Sequence, residues 1–100
     1  MRVVAYVPDL MDRSKVSAAA PGTTFVGRPA ALADAADGAD VVVVDLSRPG
    51  VLDALPLPTR VVGFASHVDR ETLAAAEAAG AEVMARSAFF RDVAANLTRP

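Results

Sequence analysis

The clearest structural signal in this chain is the segment Val41-Val42-Val43-Val44-Asp45-Leu46-Ser47-Arg48-Pro49-Gly50. Its four consecutive valines form a run that is too short for a helix and has no polar face for solvent. Such a run predicts a strand buried on both faces, as in a parallel sheet that is covered by helices. The Pro-Gly dipeptide after the strand predicts a turn.

Four other short apolar runs predict further strands, at residues 3–7, 24–26, 61–64 and 82–84, besides the strand at 41–44. Alanine-rich segments of helical length separate them, at 10–20, 29–36, 70–79 and 88–97, with a weaker helical segment at 50–55. Regular alternation of strands and helices predicts an α/β fold with a five-stranded parallel sheet and helices on both faces.

Local signals agree with these boundaries. Asp69 is expected to cap the amino end of the helix at 70–79, and Ser87 is expected to cap that of the last helix. Gly80 stands where a helix ends in a left-handed residue. The remaining turn dipeptides are Pro21-Gly22 and Asp37-Gly38.

Length and composition indicate one globular domain over residues 1–100, with 53% hydrophobic residues, 22% charged residues and a net charge of -2. The absence of cysteine excludes disulfides and thiolate nucleophiles. Lys15 is the only lysine and the arginines are scattered, which does not indicate a nucleic-acid partner. The apolar run at the amino end is too short for a signal peptide or a membrane span, so we expect a cytoplasmic protein without a membrane partner.

In parallel α/β sheets the ligand site lies beyond the carboxyl ends of the strands. At that edge we expect residues 8–9, 27–28, 45–49, 65–68 and 86–88. The candidate functional residues come from these segments and from the helices that begin there.

The chain resembles the response-regulator receiver domain over nearly its whole length. Residues 41–50 look like the third receiver strand, with its phosphoacceptor Asp and the Pro-Gly that follows. Residues 65–67 and the helix through 79–81 look like the fourth strand, its loop and the next helix. Residues 86–89 occupy the position of the family's Lys-Pro-Phe motif. Residues 8–9 occupy the position of its acidic pair. The resemblance implies a flavodoxin-like, three-layer sandwich.

The likeness covers the phosphorylation machinery only in part. Receivers hold Mg²⁺ with carboxylates and stabilise the transferred phosphoryl group with a hydroxyl and a lysine. Asp45 matches the phosphoacceptor and Asp9 one member of the acidic pair, whereas Pro8 replaces the other.

The switch residues of the family are also altered. Ala65 aligns with the hydroxyl position, with Ser66 one residue late, and Ser87 aligns with the lysine, with Arg86 one residue early. Met84 aligns with the aromatic residue that follows the hydroxyl switch. The resemblance therefore implies a receiver-like, or pseudo-receiver, domain with a degenerate site.

Each carboxylate at this edge has two interpretations. Asp45 is a candidate phosphoacceptor, or a carboxylate that accepts hydrogen bonds from local backbone N–H groups. Asp9 and Asp12 lie one helical turn apart and would form a weak Mg²⁺ site with Asp45. Alternatively, both favour the positive amino end of the first helix. No other cofactor is expected.

The remaining polar residues also have two interpretations. Ser66, Arg86, Ser87 and Arg48 are a candidate switch or anion site, or separate surface residues. Ser66 with the neighbouring His67 and Asp69 would make a nucleophile–base set, or an ordinary solvated loop with the capping aspartate.

A candidate partner surface comes from the last helix. Phe90, Val93, Ala94 and Leu97 have the spacing of a core-facing helical stripe, and Phe89 lies beside it. One narrow helix face does not easily bury both phenylalanines, so we expect Phe89 and Phe90 to form a partner surface unless both pack in the core.

These observations predict a stand-alone signalling module that is not an enzyme and that acts by binding another protein or a second copy of itself, as a homodimer. One alternative is a protein that binds an anionic nucleotide or metabolite at the strand ends, although the chain has no glycine-rich phosphate loop. The other is a working receiver that is phosphorylated on Asp45.

Overall fold

The computed structural model describes residues 1–98 and has the predicted flavodoxin-like architecture. Five parallel strands pair in the order β2-β1-β3-β4-β5. The strands are β1 (Val3–Tyr6), β2 (Thr24–Phe25), β3 (Val41–Asp45), β4 (Arg60–Ala65) and β5 (Glu82–Ala85). The helices are α1 (Leu10–Ala19), α2 (Leu32–Ala35), α3 (Arg70–Ala78), α4 (Arg86–Arg91) and α5 (Val93–Thr98).

The valine run forms the central strand, as predicted. All five residues of β3 are buried, and the strand lies between β1 and β4. Val43 pairs with Ala5 on one side and Val62 on the other. A strand in this position contacts helices on both faces, which explains why it has no polar alternation.

The pleat of the sheet divides the core into two layers. Val41 and Val43 face the layer covered by α1, α4 and α5, while Val42 and Val44 face the layer of α2 and α3. Phe64 and Phe89 fill the first layer, in which most other side chains are valines. Consecutive valines can therefore serve both layers, because alternate side chains point to opposite faces.

The helix ends confirm two of the three predicted caps. Asp69 accepts a hydrogen bond from the backbone N–H of Thr72 (3.3 Å). Gly80 has φ +94°, and the N–H of Ala81 reaches back to the carbonyl of Ala76 (3.1 Å), which closes α3. The predicted cap at Ser87 is wrong, because α4 already begins at residue 86 and no side chain caps it.

The last helical segment differs from the prediction of one helix over 88–97. It consists of α4 and α5, which are separated at Asp92. The carboxylate of Asp92 accepts a hydrogen bond from the N–H of Ala95 (3.1 Å), and its carbonyl accepts one from the N–H of Asn96. A side chain that satisfies the first N–H groups of α5 starts a new helix at this point.

The connection from β3 to β4 contains a single 3₁₀ turn, Leu52–Ala54, where the sequence predicts a weak helical segment. Val51, just before the turn, is fully buried against the sheet. A second 3₁₀ turn, Pro29–Ala31, leads into α2. These two short turns leave the carboxyl edge more open here than a full helix would.

Candidate functional site

The parallel sheet brings the predicted site residues to one edge. Asp9 follows β1, Asp45 ends β3, Ser66 follows β4, and Arg86 follows β5. Because all strands run in the same direction, these residues emerge together at the carboxyl edge.

Asp45 is buried and makes its contacts within its own loop. Only 4% of the residue is exposed. Its Oδ1 accepts hydrogen bonds from the backbone N–H of Ser47 (3.0 Å) and from the Ser47 hydroxyl (2.6 Å). Its Oδ2 lies 3.5 Å from Nε of Arg48. The predicted local backbone hydrogen bond is confirmed, and the carboxylate has partners on both oxygens.

Asp12 accepts a charge-assisted hydrogen bond from the Arg86 guanidinium. Asp12 is 1% exposed, whereas 45% of the Arg86 side chain is exposed. This hydrogen bond, opposed by burial, raises the pKa of Arg86 above its ordinary value. The other Asp12 oxygen, Oδ2, is buried and has no hydrogen-bond partner among residues 1–98.

Aromatic rings hold the Arg86 guanidinium over the first core layer. Its central carbon lies 5.0 Å from the ring centroid of Phe90 and 5.6 Å from that of Phe64. Both distances are within the range of cation–π attraction. Arg86 is thus fixed by a carboxylate on one side and by two rings on the other.

Asp9 caps α1, as one of its two interpretations predicts. Its carboxylate accepts a hydrogen bond from the backbone N–H of Asp12 (3.0 Å). That hydrogen bond is the main cause that lowers the pKa of Asp9 below 3.8. The charges of Arg86 and Arg48 act in the same direction, which places Asp9 within the electrostatic reach of both arginines.

The predicted magnesium set is not assembled. Among residues 1–98, no three acidic or histidine side chains are positioned to hold a metal ion. The reason is local: Asp12 is engaged with Arg86, Asp45 with its own loop, and Asp9 with the first turn of α1. Each carboxylate thus makes its hydrogen bonds to a different partner, although the charges of all three act on Arg86.

Two members of the predicted anion set, Arg48 and Arg86, lie close enough for both charges to act on Asp9. Arg48 and Arg86 each contact an aspartate, and their charges are already countered inside the domain. Ser66 Oγ accepts a long hydrogen bond from the backbone N–H of Val68 (3.4 Å). Ser87 is exposed in the first turn of α4.

The loop interpretation of Ser66, His67 and Asp69 fits the structure. His67 is exposed, and no hydrogen bond between side chains joins the three residues in the described chain. The carboxylate of Asp69 caps α3 instead of orienting a base. A nucleophile–base arrangement is therefore absent from this loop as the structure describes it.

The prediction that Phe89 and Phe90 form a partner surface is wrong for Phe89. That residue is fully buried and stacks on Phe64, with centroids 5.0 Å apart and an interplanar angle of 13°. Phe90 is half-buried and meets both rings edge-on. The predicted stripe placed Phe90, not Phe89, on the core-facing side of one continuous helix. The helix breaks at Asp92, and Phe89 is the residue that enters the core.

The pair of Asp12 and Arg86 is the feature that sequence reasoning missed. The two residues lie 74 positions apart, and only the parallel sheet brings them together. One signal was present: Asp12 is four residues before the buried Val16, so both side chains share the inner face of α1. A carboxylate on an inner helix face requires a partner.

Comparison with protein-family models, with curated proteins and with solved structures found no significant match. Within the described residues, no helix has both the length and the apolar character that a membrane crossing requires.

Proposed function

We propose that this chain is a receiver-like interaction module that acts by binding another protein and whose carboxyl edge is held in one state by internal ion pairs. We call the residues of these pairs the arginine-paired cluster: Asp12, Asp45, Arg48 and Arg86. The partner is a different protein or a second copy of this chain. The signal leaves the module by non-covalent contact.

The observation that carries this proposal is the state of Asp45. Nucleophilic attack on a phosphoryl group needs an accessible carboxylate oxygen and cations that neutralise the incoming charge. Both Asp45 oxygens have partners within the loop, and the residue is almost completely buried. Arg86, on which the charge of Asp45 also acts, is engaged with Asp12.

The altered switch residues support the same proposal. Ala65 is buried at the end of β4 and pairs with Ala85, so no hydroxyl group stands at this position. Met84 lies half-buried in β5, where the resemblance places an aromatic residue. Without these two side chains, modification of Asp45 would lack the coupled movement that carries a receiver's signal.

Exposed apolar side chains supply surface for a partner. Leu10 and Met11 in the first turn of α1 are 75% and 73% exposed, and Val68 after β4 is 73% exposed. All three follow the carboxyl end of a strand, Leu10 and Met11 that of β1 and Val68 that of β4. Burial of such side chains in a contact is favourable by roughly 25 cal/mol per Å² of apolar surface.

The alternative of an anionic ligand at this edge is less well supported. A phosphate or carboxylate would have to compete with Asp45 for Arg48 and with Asp12 for Arg86. Displacement of Arg86 would leave the buried Asp12 carboxylate without a counter-charge, which is costly.

Intact-protein mass spectrometry tests the phosphorylation part of the proposal. The chain is incubated with a small phosphodonor and Mg²⁺, in parallel with Asp45→Ala. We expect no added phosphoryl group on either protein. A phosphoryl group on the original chain that is missing from Asp45→Ala would contradict the proposal and identify a working receiver.

Sedimentation velocity over a range of concentrations tests self-association. We expect Leu10→Ser and Met11→Ser to weaken any dimer. Ala78→Ser is the control, because Ala78 is exposed at the end of α3, which leads to the amino end of β5 at the opposite edge of the sheet. A chain that remains monomeric at every concentration would refute the homodimer and leave a different protein as the partner.

A further inference from the structure

A second region of the carboxyl edge forms a shallow cavity of about 360 Å³. We call it the proline cavity; its lining includes Arg28, Pro29, Ala30, Pro49, Asp53 and Ala54. These residues follow β2 and β3, which are the two neighbours of β1 in the sheet. The cavity therefore lies between the connections that follow β2 and β3, at the carboxyl edge where open α/β sheets bind their ligands.

Short connections create the cavity and make its wall rigid. The two 3₁₀ turns, Pro29–Ala31 and Leu52–Ala54, stand on either side where longer helices would fill the space. Gly50 adopts φ +85°, and a Cβ there would lie 3.5 Å from Cγ of Pro29. The loop after β3 thus packs against Pro29, and the proline rings restrict the backbone on both sides.

The surface of the cavity combines an apolar floor with two opposite charges. Proline and alanine side chains supply the floor, while Arg28 and Asp53 supply the charges. Both charged residues are exposed. Within residues 1–98, neither forms an ion pair with the other or with another side chain.

We propose that the proline cavity binds a small zwitterion with an apolar body, such as a free apolar amino acid or a dipeptide. The ligand's carboxylate pairs with Arg28, its ammonium group pairs with Asp53, and its side chain covers the floor. A simple anion would meet the repulsion of Asp53, and a simple cation that of Arg28. Only a molecule with both charges satisfies both residues.

The size of the cavity favours the same class of ligand. Pockets for small molecules span about 300–1,000 Å³, and this one lies near the lower limit. A nucleotide would also bring a net negative charge, which Asp53 disfavours. The site is separate from the arginine-paired cluster, so its failure would leave the interaction-module proposal standing.

Titration followed by ¹H–¹⁵N NMR tests the proposal. The probes are L-leucine, L-phenylalanine and the dipeptide Leu-Leu, each compared with its N-acetylated and its carboxamide form. We expect saturable shifts at residues 27–30 and 49–54 with the zwitterions, and at least tenfold weaker binding when either charge is blocked. The dipeptide distinguishes a peptide-sized ligand from a free amino acid by which of the two binds more tightly.

Variants of the two charged residues complete the test. Arg28→Gln and Asp53→Asn should each weaken binding about tenfold, because each removes one charge-assisted contact. The controls are Arg91→Gln and Asp37→Asn, exposed residues outside the cavity that should leave binding unchanged. Equal binding of the blocked probes, unchanged binding by the two cavity variants, or no saturable shift with any probe would overturn the proposal.

Discussion

The arginine-paired cluster and the proline cavity lie at the same edge of one sheet, but their charged side chains differ in burial and in pairing. In the cluster, Asp12 is buried and Arg86 is held against it. In the cavity, Arg28 and Asp53 remain exposed and without an ion pair among residues 1–98. A carboxylate that enters the core requires an internal counter-charge, whereas charges at a solvated rim remain available for a ligand.

The largest expected effect concerns the aromatic support beneath the cluster. Phe89→Ala should lower the free energy of unfolding by about 3–5 kcal/mol, since a fully buried ring that stacks on Phe64 is lost. Phe90→Ala should lower it less, because Phe90 is only half-buried. Urea denaturation measures both, and equal losses would show that Phe89 has no special place in the core.

Removal of the cluster's counter-charge should have the next largest effect. Arg86→Met keeps an apolar side chain near Phe64 and Phe90 but leaves Asp12 unpaired. We expect the free energy of unfolding to fall by about 2 kcal/mol. This is less than the cost of breaking a fully buried pair, because Arg86 is partly exposed.

The double variant Asp12→Leu/Arg86→Met is the matched control for that pair. It removes both charges, so its free energy of unfolding should return close to that of the original chain. Urea denaturation of the single and double variants gives the coupling energy. A double variant as unstable as Arg86→Met would show that the pair itself, and not the unpaired carboxylate, determines the loss.

A smaller effect concerns the pH dependence of the α1 cap beside the cluster. The pKa of Asp9 is lowered in the folded chain, chiefly by its hydrogen bond from the Asp12 backbone. Its contribution to stability is therefore present above pH 3.8 and is lost as the pH falls through the lower, folded pKa. We expect the free energy of unfolding, measured by urea denaturation between pH 2.5 and pH 6, to fall less on acidification for Asp9→Asn than for the original chain.

The smallest effect is expected in the proline cavity. Arg28→Gln and Asp53→Asn should change the free energy of unfolding by no more than about 0.5 kcal/mol, because both side chains are exposed and unpaired in the described chain. A loss as large as that of Arg86→Met would remove the contrast between the two regions and indicate a structural role for these charges.

Most of the fold could be predicted from short-range patterns. The valine run, Asp69 and Gly80 each specify local structure through neighbouring residues, and all three predictions are confirmed. The segment at 50–55, which contains only a 3₁₀ turn, and the last helix were exceptions. Asp92 interrupts the last helix by capping α5, and helical periodicity by itself does not show where a side chain will compete for backbone N–H groups.

The candidate site could be predicted only as far as the edge on which it lies. Topology placed Asp9, Asp45 and Arg86 at the carboxyl ends, as expected of a parallel sheet. The local hydrogen bonds of Asp45 were one of two open interpretations, whereas the pairing of Asp12 with Arg86 was not predictable. Those choices depend on side-chain directions across several elements.

The parallel sheet, its buried centre and the edge that carries the candidate site could all be predicted from the amino-acid pattern. Those properties follow from periodicity and turn residues, which act over a few positions of the chain. The pairing of Arg86 with Asp12, and the position of Arg28 and Asp53 at one open cavity, became evident only in the folded chain. Charge pairing depends on distances in space, and residues distant in sequence come within reach only after the chain has folded.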